Sequence, residues 1–185
     1  MDISKGIGKS ITFYYCGTDH MLINMYKYIK SNMEQNVFIY LNVENKAFKL
    51  LNEFLNDTEK TMIKNDNMKN IVFEGEKNVL EDFLKRYKDE KMNCGFSDVI
   101  LIIDAKYIIE NSSKNLFIKF IENLYDVIQY MPITVLVLYD FEDYIQERKI
   151  IDKEIIKVSY EKHSHRMFVN DIIPMKEFIT KKSLA

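Results

Sequence analysis

The chain has 185 residues, 47% of them hydrophobic, with 26 basic and 28 acidic side chains and a formal charge of −2. That supplies apolar material for one core, while the near balance of signs, mixed along the sequence, excludes a basic nucleic-acid-binding face and an acidic solvating tail. Cys16 and Cys94 lie far apart and outside any Cys-x-x-Cys spacing, which excludes a redox pair or metal knuckle and fits reduced thiols in the cytoplasm.

The first residues lack the apolar stretch and cleavage site of a signal peptide, and no apolar run nears the roughly 18 to 20 residues that span a bilayer, so a soluble cytoplasmic protein is expected. Ile11-Thr12-Phe13-Tyr14-Tyr15-Cys16, closed by Gly17, reads as a buried strand and a turn. Behind it Leu22, Met25, Ile29 and Met33 recur at helical spacing, a stripe that packs on a sheet. Val37-Phe38-Ile39-Tyr40-Leu41 repeats the strand, and Ala47, Leu51 and Phe54 repeat the helix. Residues 56–70 are polar enough to read as a loop before a third strand at Ile71-Val72-Phe73, followed by a helix on Leu80, Phe83, Leu84 and Tyr87.

Asp98-Val99-Ile100-Leu101-Ile102-Ile103-Asp104 has the unbroken apolar character of a central parallel strand covered on both faces. A long helix follows on Phe117, Phe120, Ile121, Leu124 and Ile128, ended by Pro132, and Ile133 to Asp140 is the next strand. The charged stretch from Glu142 to Lys162 reads as one or two helices, Met167-Phe168-Val169 as a last short strand, and Pro174 as the separator of a C-terminal segment. Strands alternating with crossover helices predict a three-layer α/β domain with a mainly parallel central sheet. One domain is expected over 1–185, with its core at about 10–170 and a terminal segment at 171–185.

Three motifs carry candidate chemistry. Gly6-Ile7-Gly8-Lys9-Ser10 is like the end of a phosphate-binding P-loop, but Ile3 stands where the pattern needs glycine and the motif precedes a strand instead of following one. Asp104, closing its apolar strand, resembles the carboxylate of a metal-assisted phosphate site; with no phosphate loop to serve, an ordinary strand-end aspartate is the plainer reading. His163-Ser164-His165 could offer two donors, short of the three or four that zinc needs, so neither metal nor cofactor is expected. No serine has the flanking glycines of a nucleophile elbow. Tyr14, Tyr15 and Tyr139 lie toward the carboxyl ends of strands, where open α/β sheets bind ligands.

Ser10-Ile11-Thr12-Phe13-Tyr14-Tyr15, a helix ending at Tyr28-Ile29 before Glu34-Gln35, and Val135-Leu136-Val137-Leu138-Tyr139-Asp140 together resemble the MEDS sensory domain, the DcmR-like module of methanogen, methylotroph and clostridial regulators. The likeness runs from about Ser10 to Asn170. The family's first strand usually opens with His, where this chain has Ser10, and its later His-Pro is matched by His163 followed by Ser164. The resemblance implies a RecA/KaiC-like core without a functional P-loop, acting as a regulatory domain that senses a small organic molecule or a partner protein and passes on a conformational change. A ligand site is then expected at Tyr14, Tyr15, Cys16, Asp104, Tyr139, Asp140 and His163, with no catalytic residues, no nucleic acid and no membrane among its partners, and the oligomeric state open, a homodimer included. Two other readings stand beside this one: a divergent P-loop-like ATPase using Gly8-Lys9-Ser10 and Asp104, and a structural or oligomerising protein rich in aromatic and methionine side chains.

Overall fold

A computed structural model describes residues 8–66, 75–146, 150–169 and 171–177. In chain order it runs β1 (Lys9–Tyr15), α1 (Thr18–Met33), β2 (Val37–Asn42), α2 (Asn45–Glu53), α3 (Asp57–Lys60), β3 (Ile63–Asn65), α4 (Lys77–Asn93), β4 (Asp98–Asp104), α5 (Ala105–Asn111), α6 (Lys114–Ile128), β5 (Thr134–Asp140), α7 (Phe141–Ile145), α8 (Lys153–Lys162), β6 (His165–Phe168) and β7 (Asp171–Pro174). The seven strands form one sheet in the order β3-β2-β4-β5-β1-β6-β7, parallel throughout except for the β6–β7 hairpin. The α/β architecture with a mainly parallel sheet follows from the alternation of elements in the sequence.

Helices on both faces make the sheet the middle of three layers. Ile11, Phe13 and Tyr15 of β1 pack with Met25, Ile29 and Leu51 of α1 and α2 on one side. Val135, Val137 and Tyr139 of β5 pack with Phe117, Ile121 and Leu124 of α6 and with Ile155 of α8 on the other. β4 and β5 are buried along nearly their whole length because both faces are covered, and so they read as continuous apolar runs.

Two expectations change, and one falls outside the described residues. β3 and the short α3 lie inside the stretch 56–70 read as a loop; β3 is three residues long with only Ile63 buried, too little apolar signal to stand out. Ile71-Val72-Phe73 and Gly6-Ile7 lie outside the described residues. Pro174 does not divide off a terminal segment at 171: it ends β7, which pairs with β6, so the sheet includes 171–174. A proline is tolerated there, at the end of a strand on the sheet's edge.

Gly8 shows what the Gly-Lys-Ser run does. A Cβ at Gly8 would stand 2.2 Å from the carbonyl oxygen of Met131 and 2.6 Å from that of Ile133, so only glycine lets the chain enter the sheet against the turn before β5. The N–H of Gly8 donates to Ile128 O (3.2 Å) and that of Lys9 to Ile133 O (3.0 Å), so neither is available to a phosphate.

Candidate functional site

The carboxyl ends of β1, β4 and β5 meet a cleft of about 250 Å³ walled by the starts of α1, α2 and α5. Two strands run into helices without a loop. Asp104 ends β4 and caps α5, its Oδ1 accepting from the N–H of Lys106 (3.0 Å) and Tyr107 (3.5 Å). Asp140 ends β5 and caps α7, Oδ1 accepting from the N–H of Asp143 (3.1 Å). Tyr15 lies beside Asp140 in the β1–β5 register. β1 turns into α1 through Gly17, whose φ of +78° is costly for any residue with a Cβ.

Lys106, the second residue of α5, reaches back to Asp140 Oδ2 at 3.1 Å and lies 3.4 Å from Oδ1 of Asp143. Asp143 is fully buried, and its Oδ2 takes the N–H groups of Ile150 (3.2 Å) and Ile151 (2.8 Å). Burial works against the lysine's charge, but the hydrogen bond to Asp140 and the charges of Asp140 and Asp143 outweigh it and raise its pKa. Asp104 is the reverse case. Burial dominates, the backbone donors of Tyr107 and Lys106 pull the other way, the charge of Asp140 pushes up again, and the carboxyl is raised to about 7. Burial, with the charges of Asp104 and Asp140, likewise drives the Tyr15 hydroxyl far above its ordinary range, so it stays a neutral donor.

Glu44, Glu110 and Glu142 join Asp104 and Asp140 along the wall, where Lys46 and Lys106 are the only cations among the described residues. With Lys106 engaged by two carboxylates, the cleft presents an excess of negative charge around an ionisable acid and a phenol. That suits a cationic group of a small molecule, or one side chain of a partner.

Of the seven site residues expected from sequence, Tyr15, Asp104 and Asp140 line this cleft. Tyr14 does not: successive strand residues face opposite ways, and its ring lies between Tyr139 (5.7 Å) and Phe141 (5.9 Å) while its hydroxyl bonds Ser159 Oγ at 2.6 Å. Tyr139 and His163 are buried in the interior. His163 bridges Tyr139 Oη (2.8 Å at Nε2) and Ser10 Oγ (2.5 Å at Nδ1), and burial lowers its pKa to about 3, keeping the ring neutral. Cys16 is exposed but outside the cleft wall. His165 is half-buried beside Ser164, and no group of three or more metal-donor side chains converges among the described residues. The sequence offered no pointer to Glu44, Glu110 or Glu142; Lys106 and Asp143 had one, each standing two or three residues beyond a strand-ending aspartate.

Lys9 and Asp104 lie at opposite ends of the sheet. Lys9 opens β1 and Tyr15 closes it, seven residues whose six steps span about 20 Å. The turn that follows β1, where a phosphate loop would belong, is only Cys16-Gly17.

No family model matches the chain, and no curated protein matches it in sequence. Solved structures of similar fold exist. PH0321 of Pyrococcus horikoshii, an uncharacterized protein crystallised in complex with an unknown peptide, superposes with a TM-score of 0.59 at 9% identity, over 85% of this chain and 76% of that one. The flagellar accessory protein FlaH of Methanocaldococcus jannaschii gives a TM-score of 0.45 at 11% identity, over 90% and 76%. At such identities the likeness to PH0321 is one of fold.

Proposed function

We propose that this chain is a non-enzymatic sensory domain of the MEDS kind, on a RecA/KaiC-like core, whose carboxyl-edge cleft takes the cationic group of a small organic amine or of a partner's lysine or arginine side chain. The observation that carries the reading is the surplus of carboxylates in the cleft, with Asp104 held near its ionisation point at the floor. A cation entering there gains most by ionising Asp104, and the Tyr15 hydroxyl beside it can orient what binds. PH0321 was crystallised with a peptide, and a basic peptide side chain is the protein form of the same cargo. The ATPase reading has less support: its lysine sits at the wrong edge of the sheet, and the N–H groups of Gly8 and Lys9 are spent on backbone carbonyls.

The test is a thermal-shift and calorimetric screen of n-butylamine, cadaverine and doubly blocked lysine and arginine against isosteric carboxylates and Mg-ATP. The amines should bind and lose affinity in Glu44→Gln and Glu110→Gln. Preference for the carboxylates, or ATP turnover abolished by Lys9→Ala, would overturn the reading.

A further inference from the structure

Helices α1 and α2 leave an apolar face uncovered on the outside of the molecule. Leu22, Ile23, Tyr26, Leu51 and Phe54 line an open groove of about 390 Å³, charged only at Asp19 and Lys27. Ile23 is 55% and Phe54 65% exposed, and the Phe54 ring packs on Tyr26 at 6.0 Å. Grouped apolar side chains rimmed by charge are the mark of an interaction surface rather than of free solvent.

The arrangement of the charges says which partner. Asp19, Ile23 and Lys27 are four residues apart along α1, all exposed, and so stand on one ridge of the helix. Acid lies at one end, base at the other, and the isoleucine midway. Such a ridge complements its own reverse: a two-fold axis through Ile23 sets the carboxylate of each copy against the ammonium of the other, twice, with isoleucine on isoleucine between them. Each charge is about 6 Å from the axis along the helix, close enough for the side chains to meet at the usual helix-crossing angles. Among the described residues neither Asp19 nor Lys27 has an ion-pair partner in its own chain, so both are available.

We propose that this face binds a second copy of the chain, with the two α1 helices antiparallel and crossing at Ile23, and Tyr26 and Phe54 enclosing the apolar centre. The same helices line the cleft from their inner side, through Met21 and Ala47.

Sedimentation equilibrium of the full chain, from low micromolar to a few hundred micromolar, tests it. The unaltered protein should dimerise reversibly, and Ile23→Glu should be monomeric throughout with an unchanged circular dichroism spectrum. Asp19→Lys and Lys27→Asp, each creating two like-charge contacts, should each weaken the dimer roughly tenfold. The double exchange Asp19→Lys/Lys27→Asp restores both pairs and should recover the original affinity, which no effect on folding would do. A monomeric wild type overturns the proposal, whether the face then captures another protein or nothing. So does a double variant that dimerises no better than the single ones.

Discussion

Replacing Asp104 by Asn should make the protein more stable, by an amount set by pH. Asn caps a helix about as well as Asp and keeps the shape of the side chain, so the main change is loss of the ionisable proton. With its carboxyl near 7 in the folded state and 3.8 as the reference, native Asp104 holds a proton that the unfolded chain has released. Stability therefore falls as pH rises between those values and levels off above about 7. Carrying the ionised form at pH 8 costs about 4 kcal/mol, against about 1 kcal/mol at pH 4.5.

His163 slopes the opposite way. Folded near 3 against 6.5 as reference, it stays neutral while the unfolded chain takes up a proton, so its contribution falls as pH drops below about 6.5. Between pH 4.5 and 6.5 these two groups oppose each other, each worth about 2 kcal/mol, so together they add little net slope there. Asp104→Asn should uncover the histidine slope, gaining stability as pH rises to 6.5, and at pH 8 should exceed wild type by about 3 kcal/mol once imperfect replacement is allowed for. Urea unfolding of both proteins at half-unit pH steps measures this. A variant no more stable than wild type at pH 8, or a difference constant with pH, would show that Asp104 does not carry a raised pKa.

Tyr139→Phe strips His163 Nε2 of its partner in the interior and should cost about 1–3 kcal/mol in urea unfolding, with binding of amines at the cleft unchanged; a loss of binding would return Tyr139 to the site. Gly8→Ala drives a methyl into two backbone carbonyls and should destabilise by at least about 2 kcal/mol, whereas exposed Lys9→Ala should stay within about 0.5 kcal/mol; a phosphate loop would reverse that order of importance. Val169, exposed at the β6–β7 turn with a φ of +57°, holds a conformation unfavourable for a β-branched residue, and Val169→Asn should raise stability by about 1 kcal/mol.

The strands that form the middle of the sheet are legible because burial on both faces demands unbroken apolar runs, as at Val99–Ile103 and Val135–Tyr139. β3 escapes that rule by being three residues long, and α5 is hidden because it starts on the residue right after β4, with no loop between them. At the site, Asp104 and Asp140 are visible as polar ends of apolar strands. Period-two alternation already separates Tyr14 from Tyr15, so the sequence contained the reason why only one of them reaches the cleft. Glu44, Glu110 and Glu142 come from three separate connections, and only the strand order brings them to one edge. His163 enters the expected site through the family resemblance; that it bridges two buried hydroxyls has no sequence signature.

The most direct test of the cleft as a cation sensor counts protons. Calorimetric titration of the doubly blocked lysine at pH 7, in two buffers of different ionisation enthalpy, reports how many protons leave on binding. Asp104 is about half protonated there, and a bound ammonium should ionise it, so release of about 0.5 proton is expected, falling to none in Asp104→Asn. Binding without proton release, or release that persists in the variant, would contradict the account.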